Sequence, residues 1–91
     1  MNNNTNIDET TLHKMSQEFN QLVESKVAEI SKRRKSLNQK LNRMKKQQAD
    51  SSTEYVNTDI EYWEVVELHN KWKEAQSCAR KLVKITTEYN K

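Results

Sequence analysis

The sequence predicts an all-α chain of two long helices, forming an antiparallel coiled-coil-like hairpin that is completed by self-association or by partner helices. Three observations predict it. The 91 residues contain neither Gly nor Pro. Apolar residues recur at steps of three and four. The charges fall in blocks of alternating sign.

The missing residue types exclude most other classes. Tight turns draw on Gly for positive φ and on Pro for fixed φ, and a phosphate-cradling loop needs Gly so that backbone can approach the anion. Long helices need neither, since both residues weaken helix interiors. With 33% hydrophobic and 32% charged residues, the composition also resembles that of disordered chains. A net charge of only +3 and the regular apolar spacing favour helices. The core is expected to be thin, because so small and polar a chain buries little area by itself.

Taken in order, residues 1–8 are expected to be a disordered, Asn-rich tail, and residues 9–49 a helix. Leu12, Met15, Phe19, Val23, Val27, Ile30, Arg34, Leu37, Leu41 and Met44 form its stripe. The later steps are a heptad seam. An extra step of four early on predicts a stutter that locally unwinds the supercoil, and Leu22 widens the stripe there. A loop is expected over 50–58, with Ser51 and Glu54, or Thr58 and Glu61, as capping boxes. A helix continuing through this segment is the alternative. The second helix is expected over 59–89, with Val65, Leu68, Trp72, Ala75, Ala79, Leu82, Thr86 and Tyr89 as its seam.

Charge sets the orientation. Residues 1–29 carry five acids and two bases, a net of −3. Residues 30–49 carry eight bases and no acid, and residues 50–70 six acids and no base. Residues 71–91 carry six bases and two acids, a net of +4. Folding back at the break sets +8 beside −6 and −3 beside +4. A parallel pairing would set like beside like. Exposed ion pairs are individually weak, about 0–1 kcal/mol, so the blocks select an orientation more than they stabilise it.

The candidate functional residues follow from these patterns. Val27, Ile30, Leu37, Leu41, Met44, Val65, Leu68, Trp72 and Leu82 are the expected seam and partner interface. Trp63 is either an interface anchor, a role in which Trp is over-represented, or satellite core under the loop. Lys32, Arg33, Arg34, Lys35, Arg43, Lys45 and Lys46 are either contacts to nucleic-acid phosphates or a solvated face paired with the acidic block. No aromatic residue interrupts that run to stack on bases. Arg34, on the seam, is either a snorkelling side chain or a register device meeting an acid on a partner. Ser36, after Arg33-Arg34-Lys35, resembles the target of a basophilic kinase, and a phosphate there would add negative charge to the basic block.

Catalysis is not expected. His13 and His69 are isolated, no Ser or Cys nucleophile sits in a strained turn, and a thin hairpin has no water-excluding pocket. No cofactor, metal or small-molecule substrate is implied. The lone Cys78 forms no intrachain disulfide and suits a reducing compartment. No stretch approaches the ~18 apolar residues of a membrane span. Nuclear or cytoplasmic residence is the expectation.

The architecture resembles the small helical subunits of outer-kinetochore rings, endosomal tethering complexes and transcriptional coactivators. Leu68-His69, then Trp72-Lys73-Glu74 with Ala79, Leu82 and Val83, is similar to a conserved helix of small meiotic recombination-mediator subunits. In those families that helix leads into an acidic and aromatic tail, which this sequence does not show. The expected function is a non-catalytic scaffolding or interaction subunit of a multiprotein complex, binding protein partners or further copies of itself. The alternative is an accessory factor in DNA recombination or repair, using the basic run 32–46 on phosphates.

Overall fold

A computed structural model describes residues 8–89. It is an antiparallel hairpin of two helices, α1 (Glu9–Lys46) and α2 (Thr53–Tyr89). At 1.5 Å per residue each is about 55 Å long. The tail expected over residues 1–8 lies outside the described residues, apart from Asp8. That residue caps α1: its carboxylate accepts from the Thr11 backbone N–H at 2.7 Å, and this bond holds its pKa below the ordinary carboxylate value. Arg43, Lys45 and Lys46 occupy the last turn, where cations complement the helix dipole.

The turn is shorter than the expected loop over 50–58 and occupies residues 47–52. Gln48 takes a left-handed conformation with φ 59°. Its N–H donates to the Lys45 carbonyl at 3.0 Å, and the N–H of Ala49 donates to that of Met44 at 2.8 Å. These two bonds make a Schellman motif, the helix ending that ordinarily has Gly at the left-handed position. Ser52, not Ser51, then caps α2. Its hydroxyl accepts from the Tyr55 N–H at 3.1 Å and donates to the Ala49 carbonyl at 2.7 Å. Thr58, the other expected cap, is buried inside α2, with its hydroxyl on the Glu54 carbonyl at 2.8 Å. The second helix therefore begins six residues before Asp59, and a helix continuous through the segment is excluded.

The seam between the helices follows a strict heptad with no stutter. On α1 the inward positions are His13, Ser16, Asn20, Val23, Val27, Ile30, Arg34, Leu37, Leu41 and Met44, all buried or half-buried. On α2 they are Tyr55, Thr58, Tyr62, Val65, His69, Trp72, Gln76, Ala79, Val83 and Thr86. The hydrogen bond between His13 and Thr86, 2.9 Å long, fixes the register. Steps of seven from it bring Asn20 level with Ala79, Val27 with Trp72, Arg34 with Val65 and Leu41 with Thr58.

This corrects the sequence reading at two places. Leu12, Met15 and Phe19 were expected in the α1 seam, but each stands one residue before the true seam position and is exposed. Leu68 and Leu82 of α2 likewise stand one residue before His69 and Val83, and are 40% and 44% exposed; Ala75 precedes the seam residue Gln76 in the same way. One residue is roughly 100° around a helix, so all of these side chains point to the flank of the hairpin. The cause lies at the turn end. There Ile30, Leu41 and Met44 are buried and set the phase of α1. A regular supercoil keeps its 3.5-residue period, which carries the polar His13, Ser16 and Asn20 inward further along.

The charge blocks pair as the sequence predicts. Arg33 meets Glu61 at 2.9 Å and Lys40 meets Glu54 at 3.4 Å on one flank of the hairpin, while Arg80 meets Glu24 at 3.2 Å on the other. All six side chains are partly exposed, so each pair contributes at most about 1 kcal/mol.

Candidate interaction surface

The flank that carries Arg33–Glu61 and Lys40–Glu54 changes character along its length. Continuing those pairs in steps of seven sets Lys26 beside Leu68, Phe19 beside Ala75 and Leu12 beside Leu82. Charge pairs thus give way to apolar pairs towards the open end. Leu12, Met15, Phe19 and Leu82 line one shallow groove, and Ile85 joins Leu12 and Leu82 in the next. Leu22 extends the patch and is 71% exposed. Cys78 is exposed on the same flank. Contiguous apolar surface of this kind marks interaction sites far more often than scattered single residues do.

Beneath this face the seam is polar. The Ser16 hydroxyl donates to the His13 carbonyl at 2.7 Å and lies 2.9 Å from the Thr86 hydroxyl. Thr86 is also within 3.0 Å of the Leu82 and Val83 carbonyls. Next along, the side-chain oxygen of Asn20 is buried without a hydrogen-bond partner. The open end therefore has polar groups between the helices, beside Ala79 and Val83, and apolar groups on this flank, whereas near the turn the same flank carries charges.

The middle of the seam holds one more polar pair. A guanidinium has donors only, so Arg34 Nη1 donates to His69 Nδ1 at 3.1 Å, which places the ring proton on Nε2. Within the hairpin the seam partner of Arg34 is therefore a neutral imidazole, which takes up the Nη1 donor that the phosphate reading would turn outward. His69 is 6% exposed, and its pKa is lowered by burial first and then by Lys73 and Arg34. Lys35 lines the same hollow from α1, and the two charges that act on the ring, Lys73 and Arg34, are both positive. A histidine that resists protonation when folded contributes stability that is complete above its unfolded value of 6.5. It is lost as pH falls, because the unfolded chain takes up the proton first. Thermal melts are expected to shift down by a few degrees between about pH 7 and pH 5, and His69→Gln is expected to reduce that shift.

The other candidate residues divide by position. Val27, Leu37 and Trp72 are half-buried in the seam, and Ile30, Leu41, Met44 and Val65 are buried there. Trp63 is 60% exposed, packed edge-on against Tyr62 with ring centroids 5.3 Å apart. It shares an outer stripe of α2 with Val56 and Ile60, both exposed, and is not core under the loop. Lys32, Lys35, Arg43, Lys45 and Lys46 are exposed, and no ion pair engages them among the described residues. Ser36 is exposed on the flank that bears the apolar face.

The sequence pattern passes over His13, Ser16 and Asn20, which are seam residues. It sets Ile85 and Cys78 beside the α2 seam, as flanking positions, without joining them to Leu12, Met15 and Phe19 in one outward face. Projecting the heptad of Ile30 to Met44 backwards in steps of seven finds the first group. The second then follows as the flank left over.

Among the described residues, no group of His, Cys, Asp or Glu side chains is placed to hold a metal ion, and no helix is long and apolar enough to cross a membrane. No protein-family model matches the chain, and neither a curated protein nor a solved structure is similar enough to count as a match.

Proposed function

We propose that this chain is a non-catalytic helical scaffolding or interaction subunit of a multiprotein complex, working in the nucleus or cytoplasm. The observation that carries this reading is the apolar flank at the open end. Phe19 and Met15 are each 50% exposed there, although both helices have already packed together. A hairpin with a second apolar face is built to receive further helices, as in bundles where each helix has two neighbours. The charge blocks orient the assembly. Trp63 with Val56 and Ile60 provides a smaller second contact on the outer side of α2.

The test is purification of the chain from its native source, comparing wild type with a Phe19→Glu/Leu82→Glu variant. Both positions lie outside the seam, so helical content should be retained. The reading expects wild type to bring down other chains or further copies of itself, and the variant to lose them. Recovery of the same material with both proteins would overturn it, as would recovery of the bare monomer with both.

The second reading, an accessory factor in DNA recombination or repair, is favoured by one observation. Lys32, Lys35, Lys45 and Lys46 stay exposed on α1 without an acidic partner among the described residues, although the acidic block lies alongside. Binding to a mixed-sequence DNA duplex would then fall steeply with salt. It would fall further when these four lysines are changed to Gln. No binding at low salt would remove this reading.

A further inference from the structure

We infer that the apolar flank receives a second copy of this chain, laid alongside over its full length with open end beside open end. Each α1 then packs on the α2 of the other copy, and two hairpins make a four-helix bundle. The inference rests on the interaction-subunit reading and specifies its partner.

A two-fold axis along the length of the hairpin exchanges left and right across the flank without reversing its ends. It therefore sets α1 of one copy against α2 of the other at the same level, apolar half on apolar half and charged half on charged half. Met15 comes opposite Leu82 of the second copy, and Leu12 opposite its Ile85.

The charged half decides between arrangements. On α1 the flank carries Lys26, Arg33, Lys40 and Arg43 against Glu29. On α2 it carries Glu54, Glu61 and Glu64 against Lys71. Crossing the helices between copies meets basic with acidic: Arg33 comes opposite the second copy's Glu64, and Arg43 opposite its Glu54. Lys26 and Lys71 are the like-charged exception, with Glu29 one turn away. The other two-fold arrangement, with its axis across the hairpin, sets α1 on α1. Only the open ends could then overlap without laying apolar surface on charge.

Area points the same way. A flank about 55 Å long and two helices wide, at about 10 Å each, offers on the order of 1,000 Å² per copy. This exceeds the ~800 Å² per partner of a standard stable interface. Overlap of the open halves alone offers roughly half as much, below that standard.

The experiment combines mass in solution with a distance. Wild-type protein at micromolar concentration is expected at twice 10.8 kDa. Phe19→Glu/Leu82→Glu is expected to weaken association at least tenfold while keeping its helical circular dichroism. Glu64→Lys, a milder change on the charged half, is expected to weaken it to a smaller extent. A spin label at Gln39→Cys in a Cys78→Ser background, on the outer side of α1 near the turn, then reports the arrangement. Side-by-side copies place the two labels within about 30 Å, whereas open-end overlap separates them by about 60 Å at 1.5 Å per residue.

A dimer with the long distance, or one indifferent to Phe19→Glu/Leu82→Glu, would overturn the inference. So would a wild-type monomer. In that case an apolar dye separates the two ideas. Dye binding that is lost in Phe19→Glu/Leu82→Glu would leave the surface standing for a different partner, and absence of dye binding would remove the interaction surface as well.

Discussion

Replacing Val23 by Asp is expected to unfold the hairpin. Val23 is 2% exposed and is, among the described residues, the largest side chain so completely covered. Its seam neighbours are Asn20 and Val27 on α1, with Gln76 and Ala79 across the seam, and the nearby Arg80 is turned outward to Glu24. Burying an unpaired charge costs more than about 4 kcal/mol, at the extreme of single-residue effects. A core of this size supplies only about 3–5 kcal/mol in all. Far-UV circular dichroism should show loss of cooperative helical melting. Leu22→Asp is the control one residue away. Leu22 points outward, and its replacement should leave the helical signal intact. Equal behaviour of the two variants would contradict the seam described here.

Replacing Asn20 by Leu is expected to stabilise the hairpin by about 1–3 kcal/mol, read as a higher urea midpoint at unchanged slope. The Asn20 oxygen is buried without a hydrogen-bond partner, and an unsatisfied buried polar group costs about that much. Leucine would also add apolar contact level with Ala79. The gain should be accompanied by a loss of specificity. A polar residue at a heptad seam position can hold register and partner number at the expense of stability, so the variant is expected to populate more than one oligomeric state. A single state with an unchanged midpoint would show that Asn20 finds solvent or a partner without cost.

Much of the fold was legible because the cues are local and agree with one another. The absence of Gly and Pro leaves long helices, and the charge blocks leave one orientation. Arg33 with Glu61 and Arg80 with Glu24 pair across the hairpin in the predicted sense. The turn was less legible, because its left-handed position is held by Gln48 rather than Gly. A chain with no Gly hides the ordinary signal of a helix ending, so the loop expected over 50–58 lies later than the turn over 47–52.

The candidate surface was legible as composition and not as geometry. Leu12, Met15, Phe19, Leu68 and Leu82 carry the apolar signal at helical spacing, but they face the flank and not the seam. Hydrophobic periodicity says that a residue is destined for burial without saying against what. A polar Asn20 or His13 carries no apolar signal, so a pattern search passes over it even where geometry turns it inward. The apparent stutter in the stripe of α1 was the visible trace of a second face.

By itself the sequence determined the secondary structure, the antiparallel sense and the residues able to pack, since propensity, spacing and net charge are properties of short segments. Only the tertiary structure decided which of two adjacent stripes forms the seam. Two rods in contact share one phase along their whole length. The turn end, where Ile30, Leu41 and Met44 are buried, sets that phase for the open end as well. Polar side chains are thereby drawn between the helices there, and the leucines and Phe19 are left facing outward.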